Sequence, residues 1–282
     1  MQKRHLTALI FIVIGILFNG CQSSGFSMIT DIGGAAGTIT HTINNCIDAQ
    51  IYHHAIQKIN HDIYIKTNQM KDQWRREKNG KIPYSEIYYG NPRIKAVALT
   101  FDDGPHPWST KKLLAVLKKH KIKATFFVVG KMCQQYPQLL KAIYDDGHLI
   151  ANHTYNHKNL LKLTQKEIDE EWRLGNNTIR TVLGIKPDFC RPPGGNFDYI
   201  VVESAKKRGL TTVLWTDDPG DYAEPGEDAI MGKFLDYLDD GGIILLHDGP
   251  QQTIDVLPEM ITILKERGYK FQTMDEMARD LK

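Results

Sequence analysis

From residue 93 onward the chain alternates two hydrophobic patterns. Short apolar runs stand at AVALTF (96–101), ATFFVVG (124–130), HLIAN (148–152), DFCR (188–191), TTVLW (211–215), IILLH (243–247) and YKFQT (269–273). Runs this short, rich in β-branched and aromatic residues, predict strands, and near-continuous apolar character predicts strands covered on both faces. Between them apolar residues recur every three or four positions, the period of an amphipathic helix. The helices expected are TKKLLAVLKKH (110–120), YPQLLKAIYDDG (136–147), a long one over about 165–183, YIVVESAKKRG (199–209), AIMGKFLDYLDDG (229–241) and one running through ITILKERG (261–268). Seven strand–helix units predict an α/β fold with a parallel sheet closed, or nearly closed, into a barrel one unit short of the usual eight.

Ahead of residue 93 the pattern changes. Lys3 and Arg4 precede an apolar run over 6–18 that closes on Asn19, Gly20 and Cys21. A run of about 13 residues falls short of the roughly 20 that span a bilayer and fits a secretory signal. LFNGCQSS resembles a bacterial lipoprotein signal, with Cys21 the lipidated residue, although Phe18 stands where Leu is usual. The expectation is therefore a lipoprotein-type signal over 1–21 and an extracytoplasmic, membrane-anchored protein, simple secretion or an uncleaved anchor being the alternatives. Residues 22 to about 42 are rich in Gly, Ser, Thr and Ala, as in a tether. Ile43, Ile47, Ile51, Ala55 and Ile59, four apart, then predict an amphipathic helix within 43–78. These segments make up a tether and helical region over 22–92, and the main domain is placed at 93–282.

Composition adds little to this. Of 282 residues 41% are hydrophobic and 24% charged, an ordinary globular balance, and the net charge of +2 gives no reason to infer a nucleic-acid partner. Without Cys21 the cysteines are Cys46, Cys133 and Cys190, an odd set with no zinc or disulfide spacing, read as small buried apolar residues.

The chemistry lies in where the unusual polar residues fall. TFDDG ends the first strand, HTYNH follows the third, RPPGG the fourth, DDPGDY the fifth, and LLHDG ends the sixth. All are C-terminal strand ends, which in a parallel barrel converge on the rim that carries active sites. His153 and His157, four apart, can aim two imidazoles at one point. With a carboxylate they make a divalent metal site with open positions. Asp102 and Asp103 leave a strand in different directions, so one can serve the metal and the other face an attacking water. Arg191 can orient a carboxylate, Gly194 and Gly195 let backbone amides approach a ligand, and His247 offers a general acid.

These motifs resemble the polysaccharide deacetylases of the NodB-homology type, carbohydrate esterase family four. TFDDG, HTYNH, RPPGG, DPGDY and LLH match the five family motifs in order, over about residues 94–282. The resemblance implies a distorted (β/α)7 barrel and a divalent metal, usually zinc with cobalt or nickel accepted. It implies Asp102 as general base, Asp103, His153 and His157 as metal ligands, and Arg191 as the residue orienting Asp102. His247 would be the general acid with its ring held by Asp218, the Gly194 amide an oxyanion donor, and Tyr222 and Leu245 the lining of an acetyl pocket. Two positions depart from the pattern: Gly194 stands where an aromatic residue is common, and Tyr222 where Trp is common. The implied activity is N-deacetylation of N-acetylglucosamine or N-acetylmuramic acid units in peptidoglycan or a chitin-like polymer. An O-deacetylase or a non-catalytic carbohydrate-binding protein on the same fold are the alternatives. No oligomeric state follows.

Overall fold

The computed structural model of the chain describes residues 86–281. The signal, the tether, the helix expected within 43–78, and Cys21 and Cys46 lie outside these residues. In chain order the elements are β1 (Glu86–Ile87), β2 (Ala96–Asp102), α1 (Thr110–His120), β3 (Thr125–Val128), α2 (Gly130–Gln135), α3 (Pro137–Asp145), β4 (Leu149–Asn152) and α4 (Gln165–Leu183). They continue with β5 (Phe189–Cys190), α5 (Tyr199–Lys207), β6 (Thr211–Val213), α6 (Glu227–Tyr237), β7 (Gly242–His247), α7 (Gln251–Glu266), β8 (Lys270–Phe271) and α8 (Met274–Arg279).

Every strand pairing is parallel, in the order β1-β6-β5-β4-β3-β2-β7, with β8 also beside β2. The circuit closes through the segment just beyond β6. Thr216 N–H donates to the Ile243 carbonyl at 3.0 Å, and Leu245 N–H donates to the Asp217 carbonyl at 2.8 Å. The result is the distorted seven-unit barrel expected from the strand count. The sheet begins earlier than residue 93, because β1, assigned by sequence to the tether region, pairs with β6 at Glu86↔Thr212 and Ile87↔Val213. Two residues are too short a run to show a period. The six-residue helices α2 and α8 escaped the sequence reading for the same reason.

The alternation of β2 divides the core into two layers. Val97, Leu99 and Phe101 face outward and pack with Leu113, Leu117, Ile143, Leu257 and Ile261 of the surrounding helices. Ala98 faces inward, in a cluster with Phe127, Ala151, Val213 and Ile243 that Met274 and Met277 of α8 complete. Further along that inner face come Thr100 and Asp102, so the strand that builds the barrel centre ends by presenting a carboxylate to the rim. The long helix α4 starts in a capping box between Thr164 and Glu167 and stops at Gly184, whose φ of 75° suits glycine. Cys133 and Cys190 are buried and free, and burial pushes the Cys190 thiol up to about 12, in keeping with an apolar packing role.

Candidate active site

The site is built on one rung of the sheet. In the β2–β7 ladder Asp102 lies directly opposite His247, so adjacent strands place a carboxylate and an imidazole side by side at the rim. Asp102 is 3% exposed, and its Oδ1 accepts a hydrogen bond from Arg191 Nη1 at 2.8 Å. Arg191 is wholly buried in the barrel centre. Nη1 also donates to Thr100 Oγ1 at 2.9 Å, Nε and Nη2 donate to the carbonyls of Val213 and Leu214 at 3.2 and 3.1 Å, and the guanidinium lies 4.0 Å from the Phe127 ring centroid. A charge buried this deeply is tolerable only when its donors are matched in this way. Asp102 is thereby fixed, with Oδ2 left facing the neighbouring histidines, 3.6 Å from His153 Nε2.

Asp103 turns the other way. Its backbone is left-handed, φ 75°, which swings its carboxylate off the strand direction. Asp103 Oδ1 lies 3.0 Å from His157 Nε2 and 3.4 Å from His153 Nε2. That oxygen is buried and satisfies no hydrogen-bond geometry, an orphan that needs a partner. Burial opposes its charge, yet the two imidazoles outweigh burial and hold the carboxyl well below the ordinary carboxylate range. The Asp103 carboxylate beside it in turn raises His157 above its ordinary value, against the effect of burial. His153 Nδ1 lies 2.8 Å from the Arg191 carbonyl, which can only accept, so Nδ1 carries the hydrogen and the Nε2 lone pair points at the cluster. Two imidazole nitrogens and a carboxylate oxygen, all within 4.8 Å of one another, form a donor set that fits a divalent transition metal. Thr154 and His157 also have positive φ, 66° and 56°, so three of the five non-glycine residues with positive φ among the described residues gather where this cluster is made.

On the other side of Asp102, His247 is held from below. Asp221 Oδ1 lies 2.7 Å from His247 Nδ1, and Asp221 Oδ2 accepts from the His247 backbone amide at 2.7 Å and from Thr253 Oγ1 at 2.6 Å. Burial works against the charged ring, but Asp221, Asp102 and Asp103 prevail and raise its pKa to about 9. The aspartate that holds the ring is therefore Asp221, and the assignment of Asp218 to that role is corrected. Asp218 accepts from the Gly220 amide at 3.0 Å and shapes the turn instead. Gly220, at φ 74°, reverses the chain between the two acids.

The residues expected to line the site are beside it. Leu245, 4% exposed, shares the strand face of His247, and the Tyr222 ring stands edge-on to the His247 ring with centroids 5.4 Å apart. Gly194, φ 61°, lies in the exposed turn after Arg191, where the Gly195 and Asn196 amides bond back to the carbonyls of Pro192 and Pro193.

Comparison with known proteins agrees with this geometry. The family model for polysaccharide deacetylase matches residues 89–213. A peptidoglycan-N-acetylglucosamine deacetylase of Bacillus cereus is 37% identical over 190 residues, 66% of this chain and 89% of that protein. The chain belongs to the polysaccharide deacetylase family. A peptidoglycan-N-acetylmuramic acid deacetylase of Bacillus subtilis is 34% identical, over 69% of this chain and 75% of its own. Among solved structures, a CE4 family pseudoenzyme of Bacillus anthracis superposes with a TM-score of 0.66 at 32% identity, over 71% of this chain and 70% of its own. The fold is thus shared by a chain described as a pseudoenzyme, and the activity of a given family member has to be argued from its residues.

Three further residues support the deacetylase site and were not anticipated from sequence. Asp221 was hidden by its twin three positions earlier. Asp248, directly after His247, is 1% exposed and accepts from Ser109 Oγ at 2.6 Å and Thr110 Oγ1 at 2.5 Å, while its backbone amide donates to the Asp102 carbonyl at 2.8 Å. It ties the strand of His247 to the loop that follows Asp103. Glu171, on α4, holds the histidine loop.

Proposed function

We propose that this chain is a metal-dependent N-deacetylase that hydrolyses the acetamide of N-acetylated amino sugars in peptidoglycan or a chitin-like polymer, releasing acetate. The observation that carries this reading is the single rung that sets a fixed carboxylate, Asp102, opposite a charged imidazole, His247, beside the Asp103–His153–His157 cluster. A bound divalent metal, with zinc the first candidate, would supply Lewis acidity for the acetyl carbonyl and the attacking water. Asp102, oriented by Arg191, takes the proton from that water. The Gly194 amide donates to the oxyanion that forms, as backbone donors do in hydrolytic sites. His247, kept protonated by Asp221, then delivers a proton to the departing amine; an alkylamine needs that proton to leave. Leu245 and Tyr222 receive the acetyl methyl.

The relatives named as peptidoglycan and chitooligosaccharide deacetylases support an N-acetylated glycan as substrate. The signal pattern at 1–21 supports delivery outside the cytoplasm, with Cys21 as the site of lipid attachment. The deciding experiment incubates the metal-loaded protein with peptidoglycan and with N-acetylglucosamine oligomers and follows acetate and free amine. Activity on either, lost in Asp102→Asn and in His153→Ala, is expected. Full activity in either variant, or none in the parent with zinc, cobalt or nickel, overturns the reading. Incorporation of labelled fatty acid, abolished by Cys21→Ser, tests the anchor separately.

A further inference from the structure

The two histidines of HTYNH are held in unlike ways. His153 is 1% exposed and bonded through Nδ1 to the Arg191 carbonyl. The His157 side chain is 43% exposed, and its ring has no such partner among the described residues: it faces only Asp103 and the His153 ring. Its place is therefore set by the backbone of the loop. That loop carries two left-handed residues, Thr154 and His157, a conformation that costs on the order of 1–3 kcal/mol per residue unless the surroundings enforce it.

Asn152 Oδ1 accepts from the Thr154 amide at 2.7 Å and Thr154 Oγ1 from the His157 amide at 3.1 Å, and between these two residues the loop is held by a carboxylate that touches none of the three clustered donors. Glu171 is 4% exposed on the inner face of α4, in line with Ile168, Trp172, Gly175 and Ile179. Its Oε2 accepts from the amides of both Tyr155 and Asn156, at 3.0 and 2.7 Å, and its Oε1 from Asn156 Nδ2 at 2.8 Å. Two successive amides aimed at one oxygen make an anion-binding concavity, here filled from within the protein. No Lys or Arg among the described residues pairs with Glu171. A buried acid without a cation is costly to keep, and all its identified bonds go to the two residues between Thr154 and His157. Around it the loop is seated closely: Gly130 N–H donates to the Thr154 carbonyl at 2.9 Å, and a β-carbon on Gly130 would meet the Tyr155 ring at 2.7 Å.

We infer that Glu171 is a positioning residue for the metal centre, setting metal affinity by holding the His153–His157 loop in its ligating conformation before the metal arrives. The inference rests on the metal-site reading above. A partner behind the first ligands typically accounts for 10–100-fold in metal affinity. Glu171→Gln keeps the shape but gives up one of the two acceptor oxygens; Glu171→Ala removes both.

The test measures binding of zinc, and of cobalt by its visible absorption, to metal-free protein, with melting of the metal-free protein in parallel. About 10-fold weaker binding is expected for Glu171→Gln and up to about 100-fold for Glu171→Ala, with an altered cobalt spectrum. Thr164→Ala, which removes the cap of α4 about two turns before Glu171 and touches no loop residue in its identified bonds, is the control: it lowers the melting temperature and leaves metal affinity unchanged. Should Glu171→Ala fail to fold, Glu171→Gln carries the test. Parental affinity and spectrum in Glu171→Gln, or an equal loss in Thr164→Ala, overturns the inference. A parent that binds no divalent metal overturns the metal-site reading itself.

Discussion

Asp102 and Asp103 are neighbours in sequence and opposites in setting. Asp102 sits in the barrel with Arg191, a pair whose polar atoms are matched to Thr100 and two carbonyls and almost wholly removed from water. Asp103 and His157 face each other with side chains 41% and 43% exposed, and left-handed backbone fixes their directions. The difference follows from their tasks. A base must keep one orientation through every cycle, and burial with saturated hydrogen bonds provides that. Ligands that must receive an ion and leave positions open to substrate need access, so the backbone has to do the positioning that packing does for the base.

The contrast can be broken most severely from the buried side. Arg191→Ala strands Asp102 without its cation and empties the space beside Phe127, which should cost about 3–5 kcal/mol of stability and abolish acetate release. His157→Ala should also abolish release, yet the metal-free protein should unfold within about 0.5 kcal/mol of the parent, because an exposed side chain is removed. Chemical denaturation of both metal-free variants decides this. Equal stabilities would mean that the two halves of the site are held in the same way.

A second experiment separates the two acids of DDPGDY. Asp221→Asn should lower kcat by about 10²–10⁴, the usual weight of a positioned general acid, and Asp218→Asn by far less. The pH profile adds a sign. Folding raises His247 from 6.5 to about 9, so its acid form, and with it activity, should persist until the pH rises through about 9. The same pairing stabilises the metal-free fold fully below about pH 6.5, a contribution lost as the pH climbs past about 9. Without the Asp221 charge the alkaline limb should move toward lower pH; in Asp218→Asn it should stay. A limb that moves only in Asp218→Asn would reverse the correction made from the structure.

That correction marks where sequence reasoning stopped. The barrel and its rim were legible because each polar cluster ended a recognisable apolar run, and strand ends in a parallel barrel converge whatever the loops between them do. Which member of a short loop points inward is decided by single backbone conformations, such as Gly220 at φ 74°, which no period encodes. Glu171 is a different case. It stands among Glu167, Asp169 and Glu170 and looks like a solvated helix face, but Ile168, Trp172, Gly175 and Ile179 place the apolar stripe of α4 on its own turn. An acid three residues after Ile168 and one before Trp172 lies on that stripe, and a buried acid needs donors. The strand β1 carries no such signal.

The smallest effect belongs to the most exposed residue of the site. Tyr222 is 62% exposed and meets His247 only by an edge-on ring contact, worth on the order of 0.5–1.5 kcal/mol when fully formed. Its hydroxyl has no part in holding the acid, since Asp221 and Thr253 do that from the buried side. Tyr222→Ala should therefore raise KM by a few-fold and leave the alkaline limb where it is, a split between binding and chemistry that steady-state kinetics across pH resolves. Tyr222→Trp should lower KM if the methyl of the substrate's acetyl group rests against this ring, because a larger indole covers more of it. A change in the limb with either variant would place Tyr222 with the buried, fixed half of the site, and the division between the two halves would have to be redrawn.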